Sequence, residues 1–207
     1  MSKRSSGRGD SGLPFLLGGV FALIVSGLIV YYPGTHGPFL FDDLTNILRD
    51  PTVAVPALET ERFSDLVFPG GEFRRRPFAR ATFALNYYFA GQRFDVVAFK
   101  LTNVFLHLAN GLLVFWLCTL LYRRHVSISH APARTDNPRL IRLIPLLAAL
   151  IWTLHPIQLT SVLYVVQRMT SLSALFVLAG LVTFVVGRTR ADNAQPYALT
   201  LMTAGVV

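Results

Sequence analysis

The chain has 207 residues, 53% of them hydrophobic and 14% charged, with a formal net charge of +8 and a mean hydropathy of +0.50. A soluble domain carries roughly a quarter charged residues, so this composition excludes an ordinary soluble globule and points to a polytopic membrane protein. The basic excess would fit a nucleic-acid partner, but its distribution follows membrane topology instead, and no nucleic acid is expected.

Residues 1–12 are rich in Ser, Gly and Arg and are expected to form a disordered cytoplasmic tail. Residues 13–32 then run without a charge, ending in Tyr31-Tyr32-Pro33, which has the character of an interfacial anchor. A span needs about 20 apolar residues, and no small-residue cleavage site follows, so this segment reads as an uncleaved membrane helix. Beyond it, Pro33-Gly34 and Gly37-Pro38 mark a turn before Phe39-Leu40-Phe41-Asp42-Asp43.

The loop 33–95 holds 7 Arg against 8 acidic residues. Short helices are expected at 44–48 and 61–68, and an aromatic, Arg-containing helix at 78–90 suits the plane of a membrane interface. A connection of this length with helices of its own is seldom a mere linker, which makes it the expected seat of function. The adjacent carboxylates of Asp42 and Asp43 repel each other, and a chain that places such a pair at a bilayer edge usually supplies a cation, a proton or a basic ligand. One of them could deprotonate a hydroxyl while the other orients the acceptor or holds a divalent cation, the one cofactor suggested. The plainer readings are exposed loop charges or a cap for the helix at 44–48. Arg74-Arg75-Arg76 reads equally as a solvated run, a contact to lipid headgroups, or a grip on a phosphate.

A second span at 96–121 carries Asn103, His107 and Asn110 on one helical face. Such residues serve either interhelical hydrogen bonds or a ligand cavity. Residues 122–142 form a basic cytoplasmic linker. The apolar stretch 143–154 is too short to cross unless 157–166 continues it through a kink at His155-Pro156. Gln167 and Arg168 then lie at the edge of a fourth span, 172–187, where Arg168 either snorkels or coordinates a lipid-linked phosphate. Residues 197–207 begin a further apolar run, as expected of a longer protein. Lys3, Arg4 and Arg8 precede the first span, Arg123, Arg124, Arg134, Arg139 and Arg142 follow the second, and Arg188 and Arg190 follow the fourth. This positive-inside pattern puts the N-terminus in the cytoplasm and brings Asp42, Asp43, Arg76, His155 and Arg168 to the outer face. Cys118 has no partner cysteine and reads as a small buried hydrophobe.

No phosphate-binding glycine loop, dinucleotide fingerprint, nucleophile elbow or zinc-protease motif occurs. The sequences Phe41-Asp42-Asp43, Arg76-Pro77 followed by Thr82-Phe83-Ala84-Leu85-Asn86-Tyr87, Leu101-Thr102-Asn103-Val104 with His107-Leu108 and Asn110, and His155-Pro156-Ile157-Gln158 leading to Tyr164-Val165-Val166-Gln167-Arg168 together resemble one family. It is the membrane domain of bacterial relatives of the transmembrane-and-tetratricopeptide-repeat O-mannosyltransferases, which are GT-C glycosyltransferases. The resemblance covers roughly residues 13–190.

It implies an all-α GT-C-like membrane domain of about four transmembrane helices plus the start of a fifth, in a bacterial inner membrane, with tetratricopeptide repeats downstream. It implies catalysis at Asp42 and Asp43 and donor phosphate binding by Arg76 and Arg168, with His155, Gln158, Gln167, Asn103 and His107 supporting. The expected substrates are a polyprenyl-phosphate-linked sugar and a protein or glycan hydroxyl. Relatives often place an acidic residue after the His-Pro motif, where this chain has Leu159-Thr160-Ser161. The alternatives are a non-catalytic membrane scaffold and a component of lipid-linked sugar transport.

Overall fold

The computed structural model describes residues 12–54, 76–128 and 138–192. The expected tail up to residue 11, the short helix at 61–68, Arg74, Arg75, residues 129–137 of the basic linker and the apolar run 197–207 lie outside these residues. Within them the regular structure is entirely helical: α1 Leu13–Tyr31, α2 Pro77–Phe89, α3 Val96–Ile128, α4 Pro138–Leu154, α5 Leu159–Leu163 and α6 Arg168–Asp192.

Among the described residues, three helical segments are long and apolar enough to cross a membrane: Leu13–His36, Val96–Ser127 and Val165–Arg190. A fourth crossing is available if Leu140–Leu154 and Pro156–Leu163, bent by 47° at their junction, count as one broken span. The bend has a covalent cause. Pro156 has no backbone N–H, and His155 before it takes an extended conformation with ψ 132.

The helix α1 buries Gly19, Leu23, Gly27 and Tyr31, every fourth residue, and turns the rest of its apolar surface outward. Leu13, Leu17, Phe21 and Ile29 are each at least 60% exposed, an arrangement suited to hydrocarbon rather than water. Gly27 fixes how closely α1 approaches α3, because a Cβ there would stand 2.4 Å from Leu108 Cδ2.

Several boundaries differ from the sequence reading: the helix α4 begins at Pro138 rather than 143, so the expected linker 122–142 is helical at both ends, and α6 runs to Asp192 rather than 187. The helix α3 continues seven residues past 121 to Ile128. Arg123 and Arg124 end its apolar run, but arginine is a good helix former and does not end the helix. The helix α6 starts at Arg168 rather than 172, since the guanidinium expected at the membrane edge is buried and belongs to the first turn.

The core has two parts. One joins α1, α3 and α4 through Leu23, Val104, Leu108, Leu146 and Ala149. The other gathers Ile47, Val53, Phe83, Phe99, Val165 and Met169, and so ties the segment after α1 to α2, α3 and α6. Chain direction alternates through α1, α3, α4 and α6, so the end of α1, the start of α3, the end of α4 and the start of α6 meet. The Tyr31 hydroxyl donates to the Thr153 carbonyl at 2.8 Å, and Arg168 Nε donates to Asn103 Oδ1 at 2.8 Å. The candidate site lies at this end.

Candidate functional site

The two carboxylates stand in opposite environments. Asp42 is exposed, whereas Asp43 is 1% exposed. Val166 N donates to Asp43 Oδ1 at 2.7 Å and Leu40 N donates to Oδ2 at 3.1 Å. Burial pushes the Asp43 carboxyl above its ordinary value; the amides of Leu40, Val166 and Val165 and the charge of Lys100 pull the other way.

Asp42 presents its side chain outward while its backbone N donates to the Tyr164 hydroxyl at 2.8 Å and its carbonyl accepts from Asn46 Nδ2 at 2.9 Å. Phe41, just before, has φ 42, a left-handed conformation that costs energy for an aromatic residue. Its side chain is 80% exposed. The strained step lets one carboxylate turn in while its neighbour stays out. A π-helical turn, Leu44–Leu48, follows and buries Ile47 in the core.

Arg168 has no exposed surface. Besides Asn103, its guanidinium donates to the Thr82 carbonyl at 3.1 Å and the Phe99 carbonyl at 2.8 Å, and it lies 4.6 Å from the Phe83 ring centre. One cation therefore joins α2, α3 and α6, with its fork turned to internal acceptors rather than to a surface where a donor phosphate could reach it. Asn103 completes the joint, its Nδ2 donating to the Tyr164 carbonyl at 3.2 Å and the Val165 carbonyl at 3.3 Å.

Arg76 is exposed. It precedes Pro77 at the start of α2 with φ 60, and its Nη1 lies 3.2 Å from Met169 Sδ. That contact is to the residue next to Arg168. Asp50 pairs with Arg80 and accepts from the Thr52 hydroxyl at 2.6 Å, holding the far side of the loop to α2.

The remaining expected residues are more dispersed. His155 is exposed, and its Nδ1 accepts from Ile157 N at 3.2 Å, a cap for the turn after Pro156. Gln158 is half-buried beside it. Gln167 Oε1 accepts from the Thr170 hydroxyl at 3.0 Å. His107 is buried deeper in the bundle, with Nε2 2.8 Å from the Thr153 carbonyl. A carbonyl only accepts, so that nitrogen carries the proton. Asn110 donates to the Ser171 carbonyl at 3.0 Å. The polar face of α3 thus makes interhelical bonds along its length.

No family model, curated protein or solved structure matches the chain. The site is therefore read from its own geometry.

Among the described residues no three His, Cys, Asp or Glu side chains gather as a metal site. Both Asp43 oxygens are engaged by amides, so a divalent cation would rest on Asp42 and on ligands from substrate and water, the sparse protein set typical of magnesium. Such an ion would supply charge neutralisation at a phosphate.

The sequence reading passes over Lys100 and gives Tyr164 no role of its own beyond its place in the run 164–168. Lys100 is 3% exposed, and its Nζ donates to the Gly37 carbonyl at 2.8 Å. A lone cation inside an apolar helix was the available signal, since such residues are costly and rarely idle. Tyr164 carried no signal, because its role depends on a loop 122 residues away in the chain.

Proposed function

We propose that the chain is the membrane domain of a GT-C-type glycosyltransferase. It moves a sugar from a polyprenyl-phosphate donor to a hydroxyl of a protein or glycan on the outer face of a bacterial inner membrane. The observation that carries this reading is the Asp42–Asp43 pair at one end of a bundle of apolar helices, one carboxylate pinned by backbone amides and the other presented outward.

Asp42 is the general base that takes the acceptor hydroxyl's proton as the hydroxyl oxygen attacks the anomeric carbon. Asp43 is a positioning residue: pinned to Val166 and Leu40, it fixes the loop from which Asp42 projects. Arg76 holds the phosphate that leaves with the electron pair of the broken bond, where a guanidinium counters the accumulating charge. Arg168 acts behind this surface as a positioning residue, joining α2, from whose start Arg76 projects, to α3 and α6. The resemblance to O-mannosyltransferases supports mannose as the first sugar to test. The distribution of basic residues supports a cytoplasmic N-terminus.

The inward engagement of Asp43 and Arg168 also suits a membrane scaffold without turnover, and the exposed carboxylate separates the two readings. Membranes containing the chain are supplied with radiolabelled polyprenyl-phosphate mannose, and label released from the lipid to acceptor is measured. Asp42→Asn should reduce transfer by 10²-fold or more, in the range of a lost general base, and leave the melting temperature unchanged. Equal transfer by Asp42→Asn and the wild type would sink the catalytic reading and leave the scaffold.

A further inference from the structure

Toward the opposite end of the bundle a groove of about 420 Å³ runs between the first turns of α1 and the second half of α3. Leu16, Val20, Leu112, Phe115 and Trp116 line it, and Arg123 closes one end. Leu16 is 45% and Trp116 52% exposed, so the groove opens toward the surroundings of the helices. Arg123 is exposed at its mouth.

The charge around this mouth has one sign. Arg123 and Arg124 lie at the end of α3, Arg142 in the first turns of α4, and Arg188 and Arg190 at the end of α6, against the single acid Asp192 in these helix ends. The start of α1 belongs to the same end, because a Cβ on Gly12 would lie 3.6 Å from the Arg142 guanidinium carbon. A second groove, between α3 and α4, is apolar too, but it ends at His125 rather than at a permanent cation.

We propose that the groove between α1 and α3 is a binding site for an anionic phospholipid. One acyl chain lies along Leu16, Val20 and Trp116, and the headgroup phosphate is held by Arg123. The shape suits a chain because the lining is aliphatic and aromatic over about three turns. The occupant is anionic because the groove lining includes the Arg123 guanidinium, and one such cation at the headgroup favours an anionic lipid about fivefold. The bound lipid fills the groove between α1 and α3 and fixes the bundle's depth in its leaflet.

The test uses Trp116 as a reporter in the full chain, in a Trp152→Phe background that leaves it as the sole tryptophan. The protein is reconstituted into vesicles containing either phosphatidylglycerol or phosphatidylcholine with brominated chains, and the relative affinity is taken from quenching in mixtures. Anionic lipid should be favoured about fivefold, and Arg123→Gln should bring the ratio to about one while Arg123→Lys retains most of it. Arg124→Gln, beside the groove but not lining it, should leave the ratio unchanged. The proposal is overturned by a ratio near one in the parent, by a preference that survives Arg123→Gln, or by an equal loss in Arg124→Gln. Quenching by neither lipid would overturn it too, because a protein segment would then fill the groove.

Discussion

The two ends of the bundle solve the problem of polar groups at a membrane in opposite ways. At one end Asp43, Lys100, Asn103 and Arg168 are all less than 4% exposed, and their partners are chiefly backbone groups of neighbouring segments. At the other end the arginines cluster at helix termini, where a charge meets water and headgroups with little change in its surroundings. Buried charges carry a large desolvation cost and persist only when hydrogen bonds replace the lost water. The first end is therefore brittle and specified in detail, and the second tolerant. A chemical group that must be held in one orientation belongs at the brittle end, and Asp42 stands there.

Substitutions should reproduce that gradient. The largest effect is expected at Arg168. Arg168→Ala removes the donor to Asn103 Oδ1 and to the Thr82 and Phe99 carbonyls together, a loss of about 3–5 kcal/mol at about 1–3 kcal/mol for each stranded acceptor, visible as a collapse in melting temperature or in yield of folded protein. Arg168→Lys should recover little, since an ammonium cannot reproduce the fork. A near-native melt for Arg168→Ala would remove the distinction between the two ends.

Next is Asp43→Asn. Both carboxylate oxygens accept from backbone N–H groups, and an amide offers one oxygen and one donor, so Leu40 N or Val166 N is left facing an NH₂ at a cost of about 1–3 kcal/mol. The same residue sets a pH dependence. Its carboxyl lies above the ordinary value of 3.8 in the folded protein, so between those two values the folded state holds a proton that the unfolded state has released. Stability should fall as pH rises through that window and level off above it. Melting curves of the wild type and Asp43→Asn across acidic pH test this, since the variant should lack the dependence. Tyr164→Phe removes one hydrogen bond to Asp42 N and should cost about 0.5–1.5 kcal/mol by the same melts. Smallest of all is Arg123→Gln at the tolerant end, expected within about 0.5 kcal/mol of the wild type.

The tolerant end and the spans were largely legible in the sequence. An uncharged run such as 13–32 has few alternatives to a helix in hydrocarbon, and the residue before Pro156 has little choice but an extended conformation. The three-and-four spacing of Asn103, His107 and Asn110 was enough to put them on one face. The brittle end was not legible to the same degree, because its contacts are non-local. Arg168 looks like a membrane-edge residue until Thr82 and Phe99 are brought to it. Asp42 and Asp43 look equivalent until Val166, 123 residues on, claims one of them. Adjacent identical residues acquire different roles from the backbone alone, and no pattern of side chains announces which will turn inward.

That division between Asp42 and Asp43 is the centre of the account, and a paired measurement tests it. Melting temperature and mannosyl transfer are recorded for Asp42→Asn and Asp43→Asn side by side. The account predicts an intact melt with transfer reduced about 10²-fold or more for Asp42→Asn, and a lowered melt with a smaller loss of transfer per folded protein for Asp43→Asn. The reverse pattern, with transfer surviving Asp42→Asn and abolished in a fully folded Asp43→Asn, would contradict it.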